Sequence, residues 1–333
     1  MAVFTAFGMM VLLCLALWGG GALGVRGPKP LVARLALVLA WTALAGWAMA
    51  GLFAGRYGWV LPFLAALAGI AWWWHGIRPA NERAWLPEVS QLLSGKIEGD
   101  TVILRNVRNF DWRSQDDFQP RWETRRFDLP QLESVDMALS YWGRKAVSHT
   151  MCSFGFGKKG YVVFSVEIRR KQGEKFSEIG GFFRQYELSL VAATEEDCLR
   201  VRTNVRGEEG FLYRVAMPTE AARALFLSYV DLANQLVDAP RFYNTVTANC
   251  TTIVYRMVQA IVPGMPLDYR LLLSGYLPEY LQALGALPGG SPAQLRERAR
   301  YTERAKAASA ASFSACIRTH VHAQRPASSS ATG

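Results

Sequence analysis

The chain has 333 residues, a formal net charge of +10 and a pI near 9.5. Hydrophobic residues make up 51% of it, yet residues 1–76 carry almost no charge and nearly every charged residue follows Arg78. That split excludes a wholly soluble protein, and the basic surplus has no Arg/Lys stripe interleaved with aromatics, which excludes a nucleic-acid groove. Attraction to anionic headgroups is the fitting use of the charge.

Three apolar runs come first, Val3–Val25, Leu35–Gly55 and Tyr57–Trp74. Each approaches the ~20 residues a helix needs to cross ~30 Å of hydrocarbon, and inside lipid only a helix satisfies its own backbone. Trp72, Trp73 and Trp74 close the third run with side chains suited to the headgroup boundary. The first run lacks a basic leader and is long for a signal-peptide core, which argues against a cleaved signal. Arg26, Lys29 and Arg34 separate runs one and two, against Arg56 alone between two and three. Counted by themselves, these charges place the first loop, and with three spans the folded domain, on the cytoplasmic side.

A linker with Pro79 and Pro87 follows over residues 78–95. Strand-like segments are then expected at Thr101–Asn106, Val135–Trp142, Val147–Phe156, Tyr161–Arg169, Tyr186–Ala193, Cys198–Thr203 and Phe211–Met217, punctuated by turn residues such as Gly157-Lys158-Lys159-Gly160. Helices are expected at Thr219–Val237, with Thr219 as cap, from Asn249 to about Ile261, and at Leu277–Leu284. Residues 295–306 form a charged, helix-like patch, and the Ala/Ser-rich tail 306–333 is expected to be disordered. Strands followed by helices indicate an α+β domain over 78–305, after a membrane anchor over 1–77.

The five cysteines have no metal-ligand spacing and do not suggest a disulfide scaffold, and no nucleotide loop is present, so no cofactor or metal is expected. Of four histidines, His75 ends the third span and His320 and His322 lie in the tail. Only His149 lies in the folded part, on a strand-like segment. Cys250 is its natural partner. Asn249 is a good N-cap, which puts Cys250 in the first turn of an apolar helix, where the helix dipole and free N–H groups favour a thiolate. A thiolate beside an imidazole is what nucleophilic catalysis needs, and the same free N–H groups are placed to hold an oxyanion. Cys152, three residues from His149, points to the opposite strand face. Cys198 reads as core. If Tyr161–Arg169 pairs with the histidine strand, Glu167 can orient the imidazole; an ion pair with Arg169, Arg184 or Arg202 is the alternative. For Cys250 the alternative is a small buried residue that happens to begin a helix.

Several longer motifs occur in one order: Asn109-Phe110-Asp111-Trp112-Arg113-Ser114, Leu139-Ser140-Tyr141-Trp142-Gly143, His149-Thr150, Ser153-Phe154-Gly155-Phe156, Phe164-Ser165-Val166-Glu167-Ile168-Arg169, Gly181-Phe182-Phe183-Arg184-Gln185-Tyr186, Arg202-Thr203-Asn204, and Tyr243-Asn244 with Asn249-Cys250-Thr251-Thr252. Together they resemble the Lnb N-terminal periplasmic-domain family over roughly 78–305. The resemblance implies a permuted papain-like domain with an antiparallel sheet, in which the histidine strand precedes the cysteine helix, as it does in lecithin–retinol acyltransferase. It also implies a periplasmic domain on the inner membrane, against the charge count. The activity implied is that of a cysteine acyltransferase of the lipoprotein-transacylase kind, acting on a membrane lipid or lipoprotein. Cys250 would be the nucleophile, His149 the base and Glu167 the orienting carboxylate, with Asn249, Thr251, Tyr243, Tyr141, Trp142 and Arg184 lining the substrate site. Phe154, Phe156, Phe182 and Phe183 are candidates for an acyl groove or for core. Two other readings stand beside this one. A thiol peptidase or amidase acting on the cell wall requires a polar open groove. A non-enzymatic membrane-attached binding module requires that Cys250 and His149 do not meet.

Overall fold

The computed structural model describes residues 2–319; His320, His322 and the rest of the expected disordered tail lie outside the described residues. The chain divides into two compact units, Met1–Ala80 with Lys175–Glu187, and Asn81–Glu174 with the chain from Leu188 onward.

The first unit holds α1 (Ala2–Arg26), α2 (Leu31–Phe53) and α3 (Val60–Gly76). All three expected spans are helices long and apolar enough to cross a membrane. Lipid gives no hydrophobic drive between helices, so small residues and buried polar groups must hold them together. Gly19 leaves room for the Trp41 ring, whose Nε1 donates to the Ala16 carbonyl at 2.8 Å and whose indole stacks on Phe63 at 4.6 Å. Ala45, Ala48 and Gly51 line the buried side of α2.

The second unit is built on β1 (Ser94–Glu98), β2 (Thr101–Arg108), β3 (Asp111–Trp112), β4 (Phe118–Gln119), β5 (Trp122–Asp128), β6 (Ser134–Tyr141), β7 (His149–Gly155), β8 (Tyr161–Arg169), β9 (Glu187–Ala193) and β10 (Glu209–Arg214). Eight of these form one sheet in the order β1-β2-β9-β8-β7-β6-β10, with β5 paired to β2; β3 and β4 pair separately. The pairs β6–β7, β7–β8 and β6–β10 are antiparallel, whereas β2 and β9 meet in parallel. Short α4 (Glu195–Cys198) follows β9, and α5 (Thr219–Asp238), α6 (Thr252–Ile261), α7 (Leu277–Ala283), α8 (Pro292–Ala299), α9 (Thr302–Ala307) and α10 (Phe313–Cys316) complete the fold. The architecture is the expected α+β one.

Helices cover both faces of the sheet. On one face Phe127, Phe154, Phe156 and Phe164 pack against Phe226, and Phe164 stacks on Tyr229 at 4.7 Å. Phe154 and Phe156 are therefore core, not groove. On the other, Met151, Val163 and Leu212 share a cluster with Tyr301, Phe313 and Ile317. Covering both faces is why the central strands are buried along nearly their whole length and alternate so weakly.

Three expectations need correction. Cys198–Thr203 is not a strand. The Thr194 side chain accepts from the Asp197 N–H at 3.2 Å, and Glu195, Glu196 and Asp197 fill the first turn, so the chain enters a helix and then a wide π-type turn over Val201–Val205. The charged patch at 295–306 breaks between α8 and α9, where the Tyr301 N–H leaves the helical ladder to donate to the Gly210 carbonyl at 2.9 Å. The tail is ordered well past residue 306. Phe313 and Ile317 insert into the sheet's second face, and Arg318 is fully buried.

Arg318 explains why that segment stays. Its guanidinium donates to Glu195 Oε2 at 2.7 Å and to Asp136 Oδ2 at 3.0 Å, and it lies 3.4 Å above the Tyr161 ring. Arg214 holds the same Asp136. Removing one partner of a buried ion cluster leaves charge without compensation. Arg318→Met is expected to destabilise the protein by about 3–5 kcal/mol, read as a lower midpoint in denaturant in detergent solution. An unchanged midpoint would show that the cluster contributes nothing.

Candidate active site

The sheet places the histidine. In the β7–β8 ladder Met151 opposes Ser165, so two residues on, at the strand end, His149 faces Glu167. The ring Nε2 lies 2.7 Å from Ser165 Oγ and 3.2 Å from Glu167 Oε1, and Ser165 Oγ donates to the same carboxylate oxygen at 2.7 Å. The Glu167 alternative is realised as well: Arg202 Nη2 reaches Oε1 at 3.1 Å. The π-type turn delivers Arg202, whose other arm holds Glu208 Oε2 at 3.2 Å, and Glu208 accepts from Ser140, the β6 residue paired with His149. Ser165 and Glu208 are functional candidates absent from the sequence reading, and Arg202 stood there only as one of three alternative partners for Glu167. Ser165 was findable, since it lies two residues from Glu167 on one strand face. Which of the three arginines pairs with Glu167 was not readable, because the Arg202 segment reads as strand.

The thiol comes from the other side. Cys250 and His149 lie close enough that each shifts the other's pKa. The backbone N–H of Thr150 and the Thr251 hydroxyl, 3.9 Å from Sγ, also favour the anionic sulfur. Burial opposes charge on both groups, and the pair overcomes it. Against its own desolvation, His149 is raised to about 9 by Glu167 and by its hydrogen bonds to Cys250 and Glu167. Cys250 is lowered below the ordinary thiol value by the imidazolium, Thr150 and Thr251, again against burial. Glu167 sits well below the carboxylate range, burial being outweighed by His149, Arg202 and Ser165. Cys152 and Cys198 go the other way, both pushed up to about 11 by burial. Of these three cysteines only Cys250 has its pKa lowered rather than raised.

Regular helix begins at Thr252, two residues after Cys250, although the Ile253 N–H already reaches the Asn249 carbonyl at 3.2 Å. Asn249 does cap this turn. Its Oδ1 accepts from the N–H groups of Thr251 at 2.9 Å and Thr252 at 2.8 Å. Those two donors are thereby committed, which corrects the expectation that the first turn as a whole holds an oxyanion.

The remaining expected residues fall into two groups. Tyr243 packs on the same core as Cys250, and its hydroxyl pKa is raised by burial and by the neighbouring sulfur. Thr251 is buried against Sγ. Tyr141 instead is a buried prop, donating to the Gly275 carbonyl at 2.8 Å beneath the Arg296 guanidinium. Trp142 is half-exposed just past the end of β6. Arg184 belongs to the membrane unit, where it donates to the Trp74 carbonyl at 2.8 Å and lies over that indole. None of these three takes part in the contacts around the thiol.

Residues 118–275, a stretch that includes His149, Glu167 and Cys250, match the family model described as Lnb N-terminal periplasmic domain. The folded domain belongs to this family. No curated protein and no solved structure matches the chain at a significant level. With the three apolar helices, the Lnb-type domain makes this an inner-membrane protein with a periplasmic domain. Arg26, Lys29 and Arg34 then lie on the periplasmic side, against the charge count. The count fails because its margin is a few residues, and large domains translocate largely regardless of such charges.

The pKa directions give a test without any substrate. A thiol whose pKa is lowered keeps its thiolate as pH falls below the ordinary value, so iodoacetamide should alkylate Cys250 well below pH 9. His149→Ala removes the cation, and the alkylation midpoint should rise. Glu167→Gln should lower the His149 pKa from about 9 back toward 6.5, visible as an earlier loss of the imidazolium NMR signal on raising pH. A midpoint unmoved by His149→Ala would show that the two groups are not paired.

Proposed function

We propose that the protein is a membrane-anchored cysteine acyltransferase that draws acyl chains from a lipid or lipoprotein ester. The meeting of Cys250 with His149, itself backed by Ser165 and Glu167, carries this reading, because a binding module needs no such pair. In the first half-reaction the Cys250 thiolate attacks the ester carbonyl. The ester C–O bond breaks, and the His149 imidazolium gives its proton to the departing alkoxide, leaving a thioester on Cys250. In the second, an amine or hydroxyl attacks the thioester while neutral His149 takes its proton, and the thiolate leaves. Glu167 holds the ring and its charge throughout. With the Thr251 and Thr252 N–H groups taken by Asn249, Cys250's own N–H is the donor this reading assigns to the oxyanion.

The surroundings favour an acyl substrate over a cell-wall peptide. A cleft of about 600 Å³ is lined by Thr252, two residues along the chain from Cys250, and by Val246, Leu267, Tyr269 and Leu272, with Arg256 and Asp268 among its polar residues. Leu267 is 83% exposed and Tyr269 66%, an apolar floor that suits an acyl chain. Tethering to the bilayer raises the effective concentration of lipid substrates at the site.

The test is to trap the acyl-enzyme. Incubating the purified full chain with a synthetic diacyl lipopeptide should add one acyl mass to the Cys250 peptide, released by neutral hydroxylamine as a thioester is. Cys250→Ala should abolish the adduct, and His149→Ala should slow its formation roughly 10²–10⁴-fold. Absence of any adduct with wild-type protein, or equal rates in His149→Ala, would sink the proposal.

A further inference from the structure

The segment Lys175–Glu187 interrupts the folded domain in sequence yet groups with the membrane helices. Its Phe183 ring sits on Gly21 of α1, where any Cβ would collide with it, and meets Trp74 of α3 edge-on at 6.4 Å. Gly21 lies five residues, about 7 Å along the axis, before the end of α1 at Arg26. Phe183 is therefore seated inside the apolar length of the span. Arg184 fixes the turn beside it, donating to the Trp74 carbonyl at 2.8 Å and stacking on that indole at 4.9 Å. It does so at φ +52°, a left-handed conformation that a non-glycine residue keeps only where contacts impose it.

The rest of the segment presents apolar side chains with nothing over them. Phe176, Ile179 and Phe182 are 56, 61 and 47% exposed. Their backbone is provided for internally: Gly180, Phe182 and Phe183 donate to Ser177, Ile179 and Gly180 at 3.0–3.1 Å, and Tyr186 Oη closes the neck against the Ser177 N–H at 2.6 Å. Irregular backbone is tolerated at membrane depth only when its polar groups are satisfied in this way. Continuity with the lipid-facing surface of α1 and α3 decides the occupant.

We propose that Lys175–Glu187 is a membrane-inserted loop whose Phe176, Ile179 and Phe182 side chains contact the acyl chains of the bilayer. The chain then meets lipid through a fourth element that no hydropathy window detects, because its three exposed apolar side chains are interleaved with exposed Lys175 and Glu178. This is independent of Cys250 chemistry.

Photocrosslinking tests it. Benzoylphenylalanine is placed singly at Phe182, Ile179, Trp72 and Ile97 in the full chain, reconstituted in phosphatidylethanolamine/phosphatidylglycerol vesicles. Trp72, on a span, is the positive control; Ile97, exposed in the folded domain, is the negative one. Lipid adducts at 182 and 179, by mass spectrometry, should exceed the Ile97 yield at least about tenfold, since a water-facing position meets no acyl chain. Yields at both positions equal to that at Ile97 while Trp72 reacts, or adducts at 182 and 179 on protein rather than lipid, would overturn the proposal.

Discussion

One carboxylate serves two cations in this domain, and the candidate site depends on it. A buried imidazolium is unfavourable unless a negative group accompanies it. Glu167 accompanies both His149 and Arg202. The second cation would weaken the first, since Arg202 works against charge on His149. Glu208 reduces that penalty by taking Arg202's other arm, and Ser140 ties Glu208 back to the residue opposite His149. The network leaves β7, passes through β8 and the π-type turn, and returns through β6. Each member is fixed by a different part of the sheet, so the ring is oriented before any substrate arrives.

The same economy governs the two units separately. In the membrane unit the scarce resource is attraction between helices, and Gly19 answers it by letting Trp41 approach closely, while small Ala45 and Ala48 line the buried side of α2. In the folded unit apolar attraction is abundant, with aromatic rings on one sheet face, and the scarce resource is compensation for buried charge. Asp136, Glu195, Arg214 and Arg318 form a second compensated group on the sheet's other face. That cluster recruits a C-terminal segment whose composition alone suggests no structure.

What was readable in the sequence follows from range. Tyr161–Arg169 and its alternation needed only local pattern, and a hairpin with the histidine strand then puts Glu167 beside His149 without further information. Asn249 as a cap was equally local. Arg202 was hidden because Cys198–Thr203 alternates like a strand, while the features that make it helical, Thr194 and three acidic residues, precede it. Phe313, Ile317 and Arg318 were hidden because their value lies in partners more than a hundred residues away. Tyr141 and Arg184 shared motifs with site residues but were used for packing, which motif position cannot distinguish.

The thiolate itself follows from proton conservation. When Cys250 loses its proton to His149, the buried group gains one positive and one negative charge side by side, and its net charge does not change. Burial penalises each charge separately, but the pair is hydrogen-bonded, and the pre-existing Glu167 charge is poised on the imidazole's far side to receive it. The proton transfer therefore needs no ion from solvent, and it is reversible within the site. In the proposed reaction that proton passes from the imidazolium to the departing alkoxide, and the neutral ring left behind is then placed to take a proton from the acceptor while the sulfur leaves as a thiolate.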